Sequence, residues 1–270
     1  MRLLLSNDDG IHAPGLQVLA TMLATEHDVH VVAPDRERSG TGHALTLHKP
    51  LRVEEVPLVG VAQALAVNGT PSDCIKLAWG SLMRDNRPDM VVSGINRGPN
   101  LGVDVIYSGT VSAAIEGTII LDRPSIAISL ASFSDLGYEK AALVALVLVR
   151  HLAKHSLDLK VLLNVNVPAI ELVDIAGVRT TRLGKRRYND RFERRIDPRG
   201  KIYYWLAGEA EELEEADDTD VAAIRDNCVS ITPIHYDLTH FASIPDIENW
   251  QIKLPTAFPL PLEGGRRDVL

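Results

Sequence analysis

The chain predicts an α/β fold: a doubly wound, mostly parallel (Rossmann-like) sheet, with an extended β-hairpin region for oligomerisation towards the C-terminus. Three observations predict it. Strand-length apolar runs alternate with stretches of helical period through the first 168 of the 270 residues. Several of those runs end in small polar residues, the rim where open parallel sheets collect ligands. Beyond Pro168 the texture changes to blocks of charge around an aromatic, β-forming patch.

Leu3, Leu4 and Leu5 read as a short buried strand closed by Ser6-Asn7-Asp8-Asp9-Gly10. Side chains on an extended strand alternate between faces, so Asp8 and Asp9 come together only where the chain turns. Gly10 accepts the backbone angles that such a turn needs. Two adjacent carboxylates repel, and a bound cation removes that cost; a solvated Asx turn is the alternative. Residues 14–25 place Leu16, Leu19, Ala20 and Leu23 at helical spacing, and residues 28–33 read as a second strand. Strand, helix, strand is the unit of parallel sheets. The polar loop 34–40 then brings Ser39 to the rim that carries Asp8 and Asp9.

Residues 45–56 alternate loosely and predict irregular β structure beside the sheet. Thr70 as N-cap, Pro71 at the first position and Asp73 in the first turn start a helix running to about Arg84, in which Cys74 and Trp79 are buried packing residues. Residues 89–93 form the next strand and open into a Gly- and Asn-rich loop, 94–102, with Asn96 just past the strand end. Asn96 offers a neutral oxygen to a cation, or simply closes a turn. Residues 107–114 read as a loop entering a helix that Ser108 and Thr110 can cap, its first amides and positive dipole end facing the rim. No Lys follows the glycine, so this is not a Walker loop, and a capped helix needing no ligand fits equally. A strand at 125–130, a long helix at 138–155 and a strand at 161–167 bring the sheet to five or six strands.

Residues 185–201 carry eight Lys/Arg against three acids, and residues 209–220 carry eight acids and no base. Between them stands Ile202-Tyr203-Tyr204-Trp205-Leu206. A basic arm with aromatics suggests RNA binding; a hairpin that packs on another subunit, its charges partnered by the acidic stretch, is favoured because the net charge of −8 is wrong for a polynucleotide binder. Residues 229–233 read as a strand returning to the body, and the tail past Pro255 as loose. Cys74 and Cys228 are the two cysteines, so neither a disulfide framework nor a thiolate metal cage is implied. With no signal peptide and no spanning apolar run, the expectation is a cytoplasmic protein without membrane contact.

Asp8, Asp9, Ser39 and Asn96 each follow a separate strand, share one rim and offer only oxygen. Oxygen-only donors select hard cations, Mg²⁺ or Mn²⁺, and a hard cation beside a helix N-terminus is a setting for phosphate. The same residues carry a family resemblance. Leu-Leu-Ser-Asn-Asp-Asp-Gly-Ile-His-Ala-Pro-Gly from Leu4, Val-Val-Ala-Pro-Asp-Arg-Glu-Arg-Ser-Gly from Val31, Asn-Gly-Thr-Pro-Ser-Asp-Cys from Asn68 and Val-Ser-Gly-Ile-Asn-Arg-Gly-Pro-Asn-Leu-Gly from Val92 stand in one order. Tyr-Ser-Gly-Thr-Val from Tyr107, Leu-Asn-Val-Asn-Val-Pro from Leu163, Asp-Pro-Arg-Gly from Asp197 and Val-Ser-Ile-Thr-Pro from Val229 continue it. The chain resembles the SurE family, the stationary-phase survival proteins.

That resemblance implies a phosphomonoesterase releasing phosphate from nucleoside 5′- and 3′-monophosphates, with some members cutting short polyphosphate. It implies one divalent metal ion per subunit (Mg²⁺ or Mn²⁺) on Asp8, Asp9, Ser39 and Asn96, with Asp8 and Asp9 catalytic through an activated water. It implies phosphate contacts at Asn96, Ser108, Gly109 and Thr110, and a homodimer or homotetramer through the hairpin. The expected division is a catalytic core at 1–183, a hairpin region at 184–245 and a tail at 246–270. Two departures stand out: Asp218, where the family usually has glycine, and Asp226-Asn227-Cys228, where it usually has a Gly-aromatic pair. The rival readings are a phosphatase passing through an Asp8 aspartyl-phosphate and a non-enzymatic, metal-dependent nucleotide sensor. A dinucleotide-binding dehydrogenase is poorer, since Asn7-Asp8-Asp9-Gly10 stands where a Gly-x-Gly-x-x-Gly turn is required.

Overall fold

Side-chain alternation along the first strand, β1 (Arg2–Ser6), sets up the layers in the computed structural model, which describes residues 1–155, 157–189, 191–208, 210–211 and 216–254. Leu3 and Leu5 are buried on one face and Leu4 on the other. Leu3 and Leu5 share a core with Leu16, Leu19 and Leu23 of α1 (Pro14–Leu23). Leu4 joins a second cluster on the opposite face with Cys74 and Ile75.

The chain continues through β2 (Asp28–Pro34), β3 (Val53–Glu55) and β4 (Gln63–Val67) to α2 (Pro71–Leu77). Thr70 caps α2 through a reciprocal box with Asp73, and a π-helical turn, Ala78–Leu82, extends it. Next come β5 (Met90–Arg97), α3 (Gly109–Leu121), β6 (Ser125–Ala131), α4 (Tyr138–Leu152) and β7 (Val161–Pro168). Then follow β8 (Gly177–Thr180), β9 (Arg187–Tyr188), β10 (Phe192–Ile196), β11 (Ile202–Leu206), β12 (Ala210–Glu211), α5 (Asp220–Arg225) and β13 (Cys228–His235). These elements belong to one compact unit, Met1–Tyr236; a second, Asp237–Leu270, holds α6 (Ile244–Asn249).

Among the described residues the main sheet has nine strands in the order β3-β4-β2-β1-β5-β6-β7-β13-β8. From β4 to β7 neighbours run parallel; β3 and β13 lie antiparallel to β4 and β7. The chain builds outward from β1 in one direction, then returns to its other side with β5. The order therefore reverses between β1 and β5, the place where doubly wound sheets open a ligand crevice. No helix among the described residues is long and apolar enough to cross a membrane.

The sheet exceeds the expected five or six strands. β4 (Gln-Ala-Leu-Ala-Val) was not expected, because alanine carries little β preference and its burial comes from its place between β2 and β3. β5 runs to Arg97, so residues 94–97, expected as loop, are strand with a register shift between Ser93 and Asn96. Cys74 is buried as expected, whereas Trp79 is half-buried under the Arg87 guanidinium, 3.7 Å from its ring centroid. The hairpin is β10 paired antiparallel with β11, and Phe192, Ile196, Ile202, Tyr204, Trp205 and Leu206 all remain exposed.

At the two departures, Asp218 pairs with Arg182 at 2.8 Å, and Asn227 takes φ 57°, a left-handed angle that asparagine tolerates better than most residues. The partnering expected of acidic residues 209–220 falls partly on Glu209 and 212–215, and the loose tail on 255–270, all outside the described residues. Truncating Leu4 to Ala removes a fully buried side chain, and we expect a loss of about 2–5 kcal/mol in urea unfolding. A loss under about 1 kcal/mol would show that the α2–α3 face closes over the gap.

Candidate active site

Asp8 follows β1 and is buried, with 4% of its surface exposed. Asn7 locks the turn that places it: its amide donates to Gly10 O at 3.0 Å, and its oxygen accepts the Gly10 N–H at 3.2 Å. Gly10 itself takes φ 98°. The N-terminus of α3 meets Asp8 from across the sheet. The Thr110 hydroxyl donates to Oδ1 at 2.5 Å and the Gly109 N–H to Oδ2 at 3.2 Å. A Cβ on Gly109 would stand 2.7 Å from the Asp8 Cβ, so this close approach needs glycine. Burial pushes the Asp8 carboxyl above its ordinary range, against the lowering pull of the Thr110 hydroxyl and the nearby amides.

Asp9 is half-buried and accepts the Arg97 N–H at 3.1 Å. Burial first, and then the adjacent Asp8 charge, push its carboxyl up to about 6. Asn96, near the end of β5, donates its amide N–H to Gly98 O at 2.8 Å and lines the cavity. Ser39 is exposed and donates to Glu37 Oε1 at 2.9 Å, leaving the hydroxyl lone pairs available. Asp8, Asp9, Ser39, Asn96 and Ser108 line one cavity of about 930 Å³. Ser108 caps α3 by accepting the Val111 N–H at 3.1 Å. Thr110, expected as a second cap, is fully buried and spends its hydroxyl on Asp8.

Three buried polar groups fix the surrounding loops. The Asn100 carbonyl accepts from the amides of Asn164 and Asn166 at 2.9 and 3.0 Å, and its own N–H donates to Asn166 Oδ1 at 2.8 Å. Asp220, without exposed surface, accepts N–H groups from Gly102 and Gly184 at 2.9 and 2.7 Å. Glu116, buried on α3, accepts Lys76 at 2.5 Å and meets His43 Nε2 at 2.8 Å, tying α2 and the Ser39 loop to α3. None of these was singled out from sequence, nor was Glu37, although alternating asparagines inside the buried strand at Asn164 and Asn166 were a readable signal.

The donor chemistry fits a divalent metal. Two carboxylates raised by burial line one cavity, and among the described residues neither is ion-paired to Lys, Arg or His. No cluster of three His, Cys, Asp or Glu suited to a metal occurs among the described residues; beside the two carboxylates the cavity lining offers the neutral oxygens of Ser39 and Asn96. That set suits a hard cation.

Residues 3–190 match the family described as "Survival protein SurE". The "5'-nucleotidase SurE" of Synechococcus elongatus is 54% identical over 258 residues, covering 92% of this chain and 99% of that protein. That of Gloeobacter violaceus is 57% identical over 244 residues, 89% and 92% respectively. The crystal structure of the SurE protein from Aquifex aeolicus superposes with a TM-score of 0.81 at 40% identity, covering 93% of this chain and all of that one.

An Asp raised from 3.8 to about 6 binds more protons folded than unfolded, so it lowers stability as pH rises through that window. In chelated protein we expect Asp9→Asn to raise Tm at pH 7 and leave it unchanged at pH 4. An equal shift at both values would refute the charge origin.

Proposed function

The chain belongs to the SurE survival-protein family, and from that premise we propose that its cavity hydrolyses nucleoside 5′- and 3′-monophosphates, with short polyphosphate as a further substrate. The enzyme is a metal-dependent nucleotidase. The observation that carries this reading is the convergence of Asp8, Asp9, Ser39 and Asn96 on one cavity beside the N-terminus of α3. One Mg²⁺ or Mn²⁺ per subunit is the cofactor that these oxygens suit. A bound divalent cation supplies Lewis-acid polarisation of the phosphoryl oxygens and makes water nucleophilic near neutral pH.

The chain's own residues position the reaction. Thr110 and Gly109 hold both Asp8 oxygens in one orientation, and the Arg97 N–H holds Asp9. Ser39 and Asn96 add neutral donors that do not increase the charge the cavity presents to an anionic substrate. The N-terminal dipole of α3, with Ser108 at its cap, favours the charge that develops on the transferred phosphoryl group. In this reading Asn96 and Ser108 form the phosphate side of the cavity, while Gly109 and Thr110, expected there, are buried behind it with their donors on Asp8.

The exposed aromatic hairpin β10–β11 is the proposed contact between copies of the chain in a homodimer or homotetramer, because five adjacent exposed apolar side chains on β11 need a cover. Two free, buried cysteines support a reducing, cytoplasmic setting.

Phosphate release from a panel of nucleoside monophosphates and polyphosphate should vanish on chelation and return with Mg²⁺ or Mn²⁺. Asp8→Asn should lower kcat by orders of magnitude even under saturating metal; near-normal turnover would sink its assignment. Light scattering of Tyr204→Glu/Trp205→Glu should show a smaller species than the wild type; a monomeric wild type would overturn the hairpin's role.

A further inference from the structure

Asp8, Asp9 and Asn96 stand on or directly after the central strands β1 and β5, whereas Ser39 lies in a loop, residues 35–52, that has no helix or strand. The Ser39 side chain is exposed and meets Glu37 of the same loop. Its position is therefore set by how the loop is anchored on either side.

Before Ser39 the loop is tied to the carboxylate turn itself. The Arg38 N–H donates to Asp8 O at 2.7 Å, and the Arg38 guanidinium donates to Asn68 O at 2.9 Å. After Ser39 it is tied to α2 and α3. The Gly42 N–H donates to Tyr107 O at 3.0 Å, beside the Ser108 cap of α3. Ala44 O accepts the hydroxyl of Thr70, the cap of α2, at 2.7 Å. His43 Nε2 meets Glu116 Oε2 at 2.8 Å. Gly42 and Ala44 bond through backbone groups that any residue supplies; the His43 contact depends on its side chain.

Glu116 does not need His43 for its own compensation. Its buried carboxylate accepts Lys76 Nζ through Oε1 at 2.5 Å, which leaves Oε2 to the histidine. Burial pushes this carboxyl up, but the His43 and Lys76 contacts outweigh it and hold the group below its ordinary range. One lysine already balances the charge. A second donor, reaching in from the loop, therefore adds attachment rather than neutralisation. Glu116 is clamped between α2 and α3, and the His43 ring hangs the Ser39 loop on the helix whose first turn holds Asp8.

We propose that His43 is a positioning residue of the metal centre: by bonding Glu116 it fixes Ser39 in the wall of the cavity that Asp8 and Asp9 line. The loop is then ordered before a cation binds, so ordering it takes nothing from the binding energy. This rests on the metal-site reading above, and Mn²⁺ binding measured by titration calorimetry on the chelated full chain tests the two apart. His43→Ala should weaken Mn²⁺ binding roughly 10-fold, the lower end of what groups behind a metal ligand contribute, with Tm little changed. His43→Gln, whose amide can take the place of Nε2, should restore it. In a Ser39→Ala background the His43→Ala loss should vanish, since both changes act on one donor. Lys76→Met should lower Tm, because it strips a buried carboxylate of its cation, yet hold the Mn²⁺ affinity. An unchanged affinity in His43→Ala, a loss that persists in full without Ser39, or an equal loss in Lys76→Met overturns the positioning role and leaves the metal site standing. Wild-type affinity that neither Asp8→Asn nor Ser39→Ala alters overturns the site, and the role of His43 with it.

Discussion

A carboxylate withdrawn from water has to be held by donors that do not cancel its charge, and Asp8 is held in this way. One oxygen takes the Thr110 hydroxyl and the other the Gly109 amide, so the first strand of the sheet and the first turn of α3 are fixed to each other through one side chain. Much of the local sequence follows from that constraint. Position 109 carries no side chain because Asp8 occupies its place, Thr110 turns inward where a cap would turn outward, and capping falls to Ser108 alone. The charge stays under-compensated, burial pushing the carboxyl above its ordinary range, and that is the condition in which a divalent cation is strongly favoured.

The topology explains why Asp8 sits where it does. Strand order reverses between β1 and β5, so the loops after these two strands diverge and leave a crevice. Asp8 and Asp9 come from one side and Asn96 from the other. The loops that complete the cavity are fixed at depth rather than by surface contacts: Asn100 through Asn164 and Asn166, the Ser39 loop through His43 and Glu116, and Gly102 through Asp220. Buried polar networks of this kind, once satisfied, specify a single arrangement.

The parts legible in sequence are those where local pattern and tertiary role coincide. Leu3 to Asp9 announce a buried strand with a polar end, and Thr70, Pro71 and Asp73 announce a helix start that forms as read. β4 was hidden because Ala64 and Ala66 carry weak local preference, and β5 was cut short because Gly94 and Asn96 look like loop residues until their pairing with β6 is known. The two carboxylates could be found from their adjacency. Glu116, Asp220 and Asn100 could not, because their partners lie between 29 and 118 residues away along the chain, and no periodicity records such distances.

Asp220 has a consequence for the order in which the molecule is made. The Gly102 loop is bonded to a carboxylate 118 residues downstream, and β7 gains its antiparallel neighbour only from β13. A ribosome adding about 5–20 residues per second therefore spends roughly 10–40 s between making the Asp8 strand and delivering the groups that close the pocket around it. During that interval the nascent chain carries its carboxylate pair without a finished cavity and an edge of β7 without its partner. The Gly102 loop gains its buried partner only once Asp220 and β13 have been made.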